Sequence, residues 1–176
     1  MKRVSILFII ILLFILSCEK DNIAEPCVCD KGYFIDEGVD DRYSNTESRV
    51  QKNININKNV GIFLTYGQSN SANYGEMGYS VNNEVFQFYN DSTYLYKDPS
   101  LGGEGEGGSV WGMVGDKLIE NAVYDQVVFS VTGWGGRSIG QLSQGKYYEY
   151  FIGNYCQLLK RFGRVDGILF HQGEAN

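Results

Sequence analysis

The sequence has few of the residues on which several common kinds of site depend. It contains a single histidine, His171, and four scattered cysteines, so the paired ligand spacing of a structural zinc site is missing. Its lysine and arginine residues stand singly or in pairs, and the formal net charge is −6. No basic face able to neutralise phosphates is expected. These absences argue against a metal site and against nucleic acid as a partner, and nothing in the sequence predicts a cofactor.

The longest apolar run, 4–16, is too short for a permanent transmembrane anchor. Roughly 13 residues rising about 1.5 Å each give a helix of about 20 Å, whereas the hydrocarbon core of a bilayer is about 30 Å thick. Lys2 and Arg3 precede the run and Ser17 follows it, an order typical of a signal peptide. Residues 1–17 are therefore predicted to direct export.

The end of this segment, 15–18 (ILSC), resembles the lipobox of bacterial lipoproteins. The resemblance implies a lipid on Cys18 and a protein anchored to a bacterial membrane, in the periplasm or at the cell surface. An ordinary signal peptide or an uncleaved helical anchor is the alternative, and both also export the chain. Export permits disulfides, but the pairing of Cys27, Cys29 and Cys156 is left open.

Beyond the signal peptide, the composition predicts a tether followed by one globular domain. Hydrophobic residues make up 43% of the chain, too many for a disordered protein. Residues 18–59 are polar, rich in Asp, Glu and Asn, and show no sustained period. They are predicted to tether the lipidated cysteine to a domain at 60–176.

Three compact apolar runs alternate with two helical patterns in this domain. The runs 60–66, 126–132 and 165–170 are typical of strands buried in a parallel sheet. Ser109 can cap a helix with one apolar stripe, made of Val110, Met113, Val114, Leu118 and Ile119. Apolar and aromatic residues recur at helical spacing over 147–162 until a glycine ends the pattern. This order predicts an α/β fold built on a parallel sheet.

Two further segments are predicted to lie outside the main sheet. The aromatic-rich stretches 84–88 and 93–96, separated by a polar turn, indicate a hairpin. Residues 102–108 (GGEGEGG) are rich in glycine, but no strand leads into them, no lysine follows, and two glutamates would repel phosphate. A flexible loop is predicted there rather than a phosphate-binding loop.

A polar motif follows each predicted core strand: 67–70 (GQSN), 134–138 (WGGRS) and 171–176 (HQGEAN). In open parallel sheets, ligands bind beyond the carboxyl ends of the strands. Each motif alone is weak evidence, because Gly, Ser and Asn also favour plain turns. Together and in this order, they resemble the blocks of the sialate O-acetylesterase-like branch of the SGNH hydrolases, which is related to carbohydrate esterase family six.

The resemblance covers roughly 60–176 and implies a three-layer, flavodoxin-like parallel sheet flanked by helices. Ser69 would be the nucleophile. Its own backbone N–H, that of Gly136 and the side-chain amide of Gln172 would bind the oxyanion. Gly135 is the alternative backbone donor. The implied activity is removal of acetyl groups from sialic acids or polysaccharides through an acyl-serine intermediate.

Four other motif residues would support this site. Gln68 and Asn70 flank the nucleophile, and Glu174 would fix a loop or the substrate, unless it is a solvated surface residue. Arg137 would contact a substrate carboxylate, such as that of a sialic acid, or would be an ordinary surface arginine. The implied partners are an acetylated carbohydrate and, through the lipid, a membrane.

The chain departs from the family pattern in its proton acceptor. The family's histidine base and its orienting aspartate belong to a DxxH motif downstream of the third block, and the sequence ends at Asn176. His171 belongs to the third block and is not expected to be the base. A fragment that lacks its C-terminal strands, with little activity by itself, is therefore expected. The alternative function is a non-catalytic surface lipoprotein that binds glycans through some of its 13 Tyr and 10 Phe residues.

Overall fold

The computed structural model describes Cys29 and residues 41–173. The predicted signal peptide, the lipidation site Cys18, most of the tether and Glu174 lie outside these residues. The strands are β1 (Val60–Gly67), β2 (Val85–Tyr89), β3 (Ser92–Leu95), β4 (Gln126–Gly133) and β5 (Gly167–His171). The helices are α1 (Trp111–Glu120), α2 (Ile139–Leu142) and α3 (Gly145–Phe162), with a 3-10 turn at Ser69–Ser71.

The strands form one mixed sheet of five strands in the order β3-β2-β4-β1-β5. β1 is parallel to β4 on one side and to β5 on the other, and β4 is also parallel to β2. β1 and β4 are buried along their whole length, as their continuous apolar sequences predict. β5, the last strand of the described sheet, is partly exposed. The α/β class is confirmed, and all three predicted strands form, but β5 lies at the edge of the sheet with Ile168 and Phe170 about half exposed and is not buried like β1 and β4.

The hairpin predicted outside the main sheet belongs to it. β2 and β3 pair antiparallel, and the turn residues Asn90 and Asp91 have positive φ angles of 46° and 57°, which Asn and Asp tolerate better than most residues. β2 is fully buried and also pairs with β4. The prediction is wrong on this point because a polar turn between aromatic stretches indicates a hairpin but not its neighbour.

A helix covers each face of the sheet, which gives three layers. On one face, Leu158 of α3 is fully buried in a cluster with Phe88, and Phe162 meets Phe88 edge-on with ring centroids 5.5 Å apart. On the other face, Trp111 of α1 packs against Phe129 of β4 with centroids 6.0 Å apart. The aromatic pattern over 147–162 is thus core, as predicted.

The predicted apolar stripe of α1 is divided between the core and the surface. Gly115 faces the sheet, and a Cβ there would lie 2.6 Å from Val85 Cγ1. Only a glycine permits so close an approach. Val110 and Met113 are 45% and 52% exposed, while the other three members of the stripe pack partly against the core. Part of the apolar stripe is therefore exposed to solvent instead of attaching the helix to the sheet.

Residues 41–59, which the composition assigns to the tether, lie along the domain. The Leu95 N–H of β3 donates to the Val50 carbonyl at 2.8 Å. Further upstream, Cys29 forms a disulfide with Cys156 of α3, across a sequence separation of 127 residues, and this resolves one pairing that the sequence left open. Within the residues described, no helix is long and apolar enough to cross a bilayer.

Candidate active site

The three polar motifs meet at one edge of the sheet. Gly67 of β1 is in register with Gly133 of β4 on one side and with His171 of β5 on the other. Because these strands are parallel, the residues that follow the three positions leave the sheet at the same edge. The GQSN and WGGRS motifs and the start of the third motif are therefore neighbours in space, as predicted.

Gly67 allows the backbones of β1 and β5 to approach closely at this edge. Its φ angle is +144°, and a Cβ there would lie 1.9 Å from the His171 carbonyl oxygen. Any larger residue is therefore excluded. The Trp134 N–H donates to the Gly67 carbonyl at 3.0 Å, and the Gln68 N–H donates to the His171 carbonyl at 2.9 Å. The motifs thus remain connected beyond the ends of their strands.

Gln68 links all three motifs through one buried side chain. It is only 1% exposed. Its Nε2 donates to the Arg137 carbonyl at 2.9 Å, and its Oε1 accepts from the Gly173 N–H at 3.5 Å. A buried amide bonded at both ends favours a single relative placement of the loops that it joins. The sequence predicted a supporting role, and the structure puts Gln68 at the junction itself.

The candidate nucleophile Ser69 begins the 3-10 turn directly after this junction. It is partly exposed, and Asn70 is exposed. Ser71 anchors the turn, since it is buried and its carbonyl accepts from Trp111 Nε1 at 2.9 Å. Gly133 lies against the turn, where a Cβ would come within 2.8 Å of the Ser71 carbonyl carbon. The turn is thus packed between α1 and the end of β4.

Glu104, in the glycine-rich segment 102–108, holds the WGGRS turn. Its carboxylate accepts hydrogen bonds from the Gly135 N–H and from the Tyr74 hydroxyl. Partial burial, together with that bond, raises the pKa of Tyr74 to about 12. The Glu104 N–H donates to the Gly133 carbonyl at 2.9 Å. Contrary to the predicted flexible loop, the segment is tied to the candidate site.

Of the two candidate backbone donors to an oxyanion, Gly136 is the open one. The Gly135 N–H is engaged by Glu104, and a Cβ on Gly135 would lie 2.6 Å from the Tyr74 hydroxyl. Gly136 is exposed, has a φ angle of +64°, and a Cβ there would meet nothing within 4 Å. Gln172, the candidate side-chain donor, follows β5 directly and is partly exposed.

Arg137 pairs with groups of the protein itself. Its Nε donates to the Tyr147 hydroxyl at 2.7 Å, and this bond raises the pKa of the guanidinium. Its Nη2 lies 3.8 Å from Asp41 Oδ2 and 3.9 Å from Glu104 Oε1. A substrate carboxylate would have to compete with both of these acids for the guanidinium.

A groove of about 700 Å³ begins at Ser69 and Asn70 and runs along α1. Its apolar lining includes Met77, Val110 and Met113, and Lys117 is the only charged residue in the described part of the lining. The groove explains why part of the apolar stripe of α1 is exposed. The sequence alone did not reveal it, because the same stripe is also what a core-packed helix shows.

Within the described residues, no group of three or more His, Cys, Asp or Glu side chains could hold a metal ion. In comparisons with known proteins, no protein-family model matches the chain and no curated protein matches it.

Proposed function

We propose that this chain carries the nucleophile region of a carbohydrate O-acetylesterase of the SGNH type, with Ser69 as the nucleophile. The observation that carries the proposal is the junction at Gln68, whose buried amide bonds to the second and third motifs while its backbone leads into Ser69. Such a junction supports a site where groups from three loops act on one substrate atom. The strands that precede the three motifs lie with β1 between β4 and β5, as the first three strands of a flavodoxin-like sheet do, and β2 adds a further parallel strand outside β4.

In the proposed reaction, Ser69 Oγ attacks the acetyl carbonyl, the sugar hydroxyl leaves, and water hydrolyses the acetyl-serine. The backbone N–H groups of Ser69 and Gly136 and the side-chain amide of Gln172 bind the oxyanion. A serine hydroxyl needs a general base at neutral pH, and the family resemblance assigns that base to a DxxH motif downstream of the third block. The same resemblance assigns to Glu174 the task of fixing a loop or the substrate.

Acetate release from p-nitrophenyl acetate and from O-acetylated sugars tests this proposal. The assay compares this chain with the longest translation product of the same reading frame. In the active product, Ser69→Ala abolishes acetate release, and Gln172→Ala lowers turnover by about 100- to 1,000-fold because one oxyanion donor is lost. The exposed residues Ser48 and Gln51 provide the matched controls Ser48→Ala and Gln51→Ala. Full activity in Ser69→Ala would refute the assignment.

A second candidate function is glycan binding without catalysis, which the position of Tyr74 favours. Its side chain is 50% exposed and lies beside Gly135 at the candidate site, where an aromatic ring can stack on a sugar face. Titration with unacetylated oligosaccharides distinguishes the two functions. A non-catalytic binder loses affinity in Tyr74→Ala and keeps it in Ser69→Ala.

The same proposal includes export and lipid anchoring through Cys18 to a bacterial membrane. The Cys29–Cys156 disulfide supports export, because such bonds persist in oxidising compartments. Metabolic labelling with a fatty acid tests the anchor, and Cys18→Ala is expected to lose the label. Retention of the label in that variant would exclude Cys18 as the acceptor.

A further inference from the structure

The groove beside Ser69 is more apolar than an acetylated sugar requires. Val110, which immediately precedes α1, and Met113 of α1 are about half exposed. Met77, which lines the same groove, is 86% exposed, so these apolar side chains are in contact with water. Exposed apolar side chains are common singly, but a contiguous patch on a groove wall indicates a binding surface. An acetyl group has one methyl to bury and would leave most of about 700 Å³ unfilled.

The walls of the groove are held in place from behind. Gly75 and Gly108, in two of the segments that line the groove, exchange two backbone hydrogen bonds of 2.9 and 2.8 Å. The buried Asp98 accepts from the Tyr79 N–H at 2.8 Å and from the Ser109 N–H at 3.1 Å. These four partner residues line the groove, so its wall segments are joined to each other. The groove is a preformed feature of the fold.

The position of the groove limits what it can hold. Ser69, the proposed nucleophile, is one of its lining residues, and among the lining residues that the structure describes Lys117 is the only charged one. A sugar is covered with hydroxyl groups, whose burial against apolar walls without hydrogen bonds is unfavourable. In a carbohydrate ester, the acyl chain is the part whose chemistry matches this surface.

We propose that the groove binds the acyl chain of the ester, so that the enzyme accepts acyl groups longer than acetyl. This inference rests on the proposed function in one respect only, namely that the bond cleaved is the ester bond attacked by Ser69. It assigns a specificity role to Met77, Val110 and Met113, which contact the chain and take no part in the chemistry. Each methylene that enters the groove strengthens binding by about fourfold.

Methyl resonances of the methionines provide a direct test that needs no catalysis. The chain has three methionines, and both described ones, Met77 and Met113, line the groove. In the protein labelled with [methyl-¹³C]methionine, sodium octanoate is expected to shift both resonances saturably, and sodium acetate at the same concentrations is not. Met113→Glu weakens octanoate binding at least tenfold, whereas Ile56→Glu, at an 83% exposed position outside the groove, leaves it unchanged. The absence of a saturable shift, or equal binding to both variants, overturns the proposal.

Hydrolysis of p-nitrophenyl acetate, butyrate and hexanoate by the longest translation product of the same reading frame separates the two proposals. The specificity constant kcat/KM is expected to rise with chain length, and Met113→Glu reduces the slope while Ile56→Glu does not. Hydrolysis of acetate with no gain for longer esters and no octanoate shift refutes the groove assignment alone. Saturable octanoate binding without hydrolysis of any ester supports the groove and counts against the esterase.

Discussion

Helices α3 and α1 cover opposite faces of the same sheet and bury different kinds of residue against it. α3 places large side chains on the sheet, such as Leu158, which is fully buried, and Phe162 against Phe88. α1 approaches with Trp111 at its start and then with Gly115. Its apolar residues are therefore only partly used in the core.

This difference gives the two helices different tasks. α3 packs large side chains on the sheet and also carries Cys156, whose disulfide cross-links the helix to Cys29. α1 combines a close glycine contact on one side with the apolar groove wall on the other. Because a small residue makes the contact between helix and sheet, the larger apolar residues of the helix remain on its outer side, where they can contact a ligand. The comparison predicts that changes on α3 affect stability and that changes on the outer side of α1 affect binding.

The largest expected effect comes from the disulfide that ties α3. Cys156→Ser opens a loop that spans 127 residues of sequence, and loss of so long a cross-link costs about 2–5 kcal/mol of unfolding free energy. Urea unfolding of the oxidised and reduced wild type and of the variant measures this. The reduced wild type should match the variant. A loss below about 1 kcal/mol would mean that α3 is held by packing alone.

The sequence predicted one helix better than the other for a physical reason. Over 147–162, aromatic spacing, the C-terminal Gly163 and burial all agree, so periodicity is sufficient. On α1, periodicity shows an apolar stripe but cannot show that Gly115 faces the sheet. The ends of β1 and β4 were predictable because their apolar runs stop at Gly67 and Gly133. The role of Glu104 could not be predicted, because its partner Gly135 lies far along the chain. The only local signal was a carboxylate in a glycine-rich segment that is unsuited to binding phosphate.

A second test adds one methyl group to the contact between α1 and the sheet. Gly115→Ala brings a Cβ to 2.6 Å from Val85 Cγ1, and overpacking of this kind costs about 1–3 kcal/mol of unfolding free energy despite the higher helix propensity of alanine. Gly140→Ala in α2 is the control, because its nearest contact would be an ordinary 3.9 Å. Thermal unfolding of both variants measures the change in stability relative to wild type. Equal stability would show that α1 does not depend on the glycine contact.

A third test concerns Asp116, the buried acid of α1. Burial by itself would raise its pKa, but hydrogen bonds from Asn82, Tyr79 and Asn83 outweigh that effect and lower the pKa. The stabilisation is therefore fully present above the ordinary aspartate pKa of about 3.9 and is lost as the pH falls below it. Asp116→Asn should cost about 1–2 kcal/mol at pH 7. The difference from wild type should shrink toward pH 3, and a difference independent of pH would contradict this account.

The smallest expected effect on stability is at Met113, on the groove side of α1. Met113→Ala removes a side chain that is already 52% exposed, so the free energy of unfolding should change by no more than about 0.5 kcal/mol. Leu158→Ala on α3 is the matched comparison, since it deletes a fully buried side chain and should cost about 2–5 kcal/mol. Urea unfolding measures both. If Met113→Ala proved as costly as Leu158→Ala, the outer side of α1 would be part of the core. A small change in stability together with weaker octanoate binding would instead show that the exposed apolar residues of α1 bind a ligand. The glycine contact would then be what attaches the helix to the sheet.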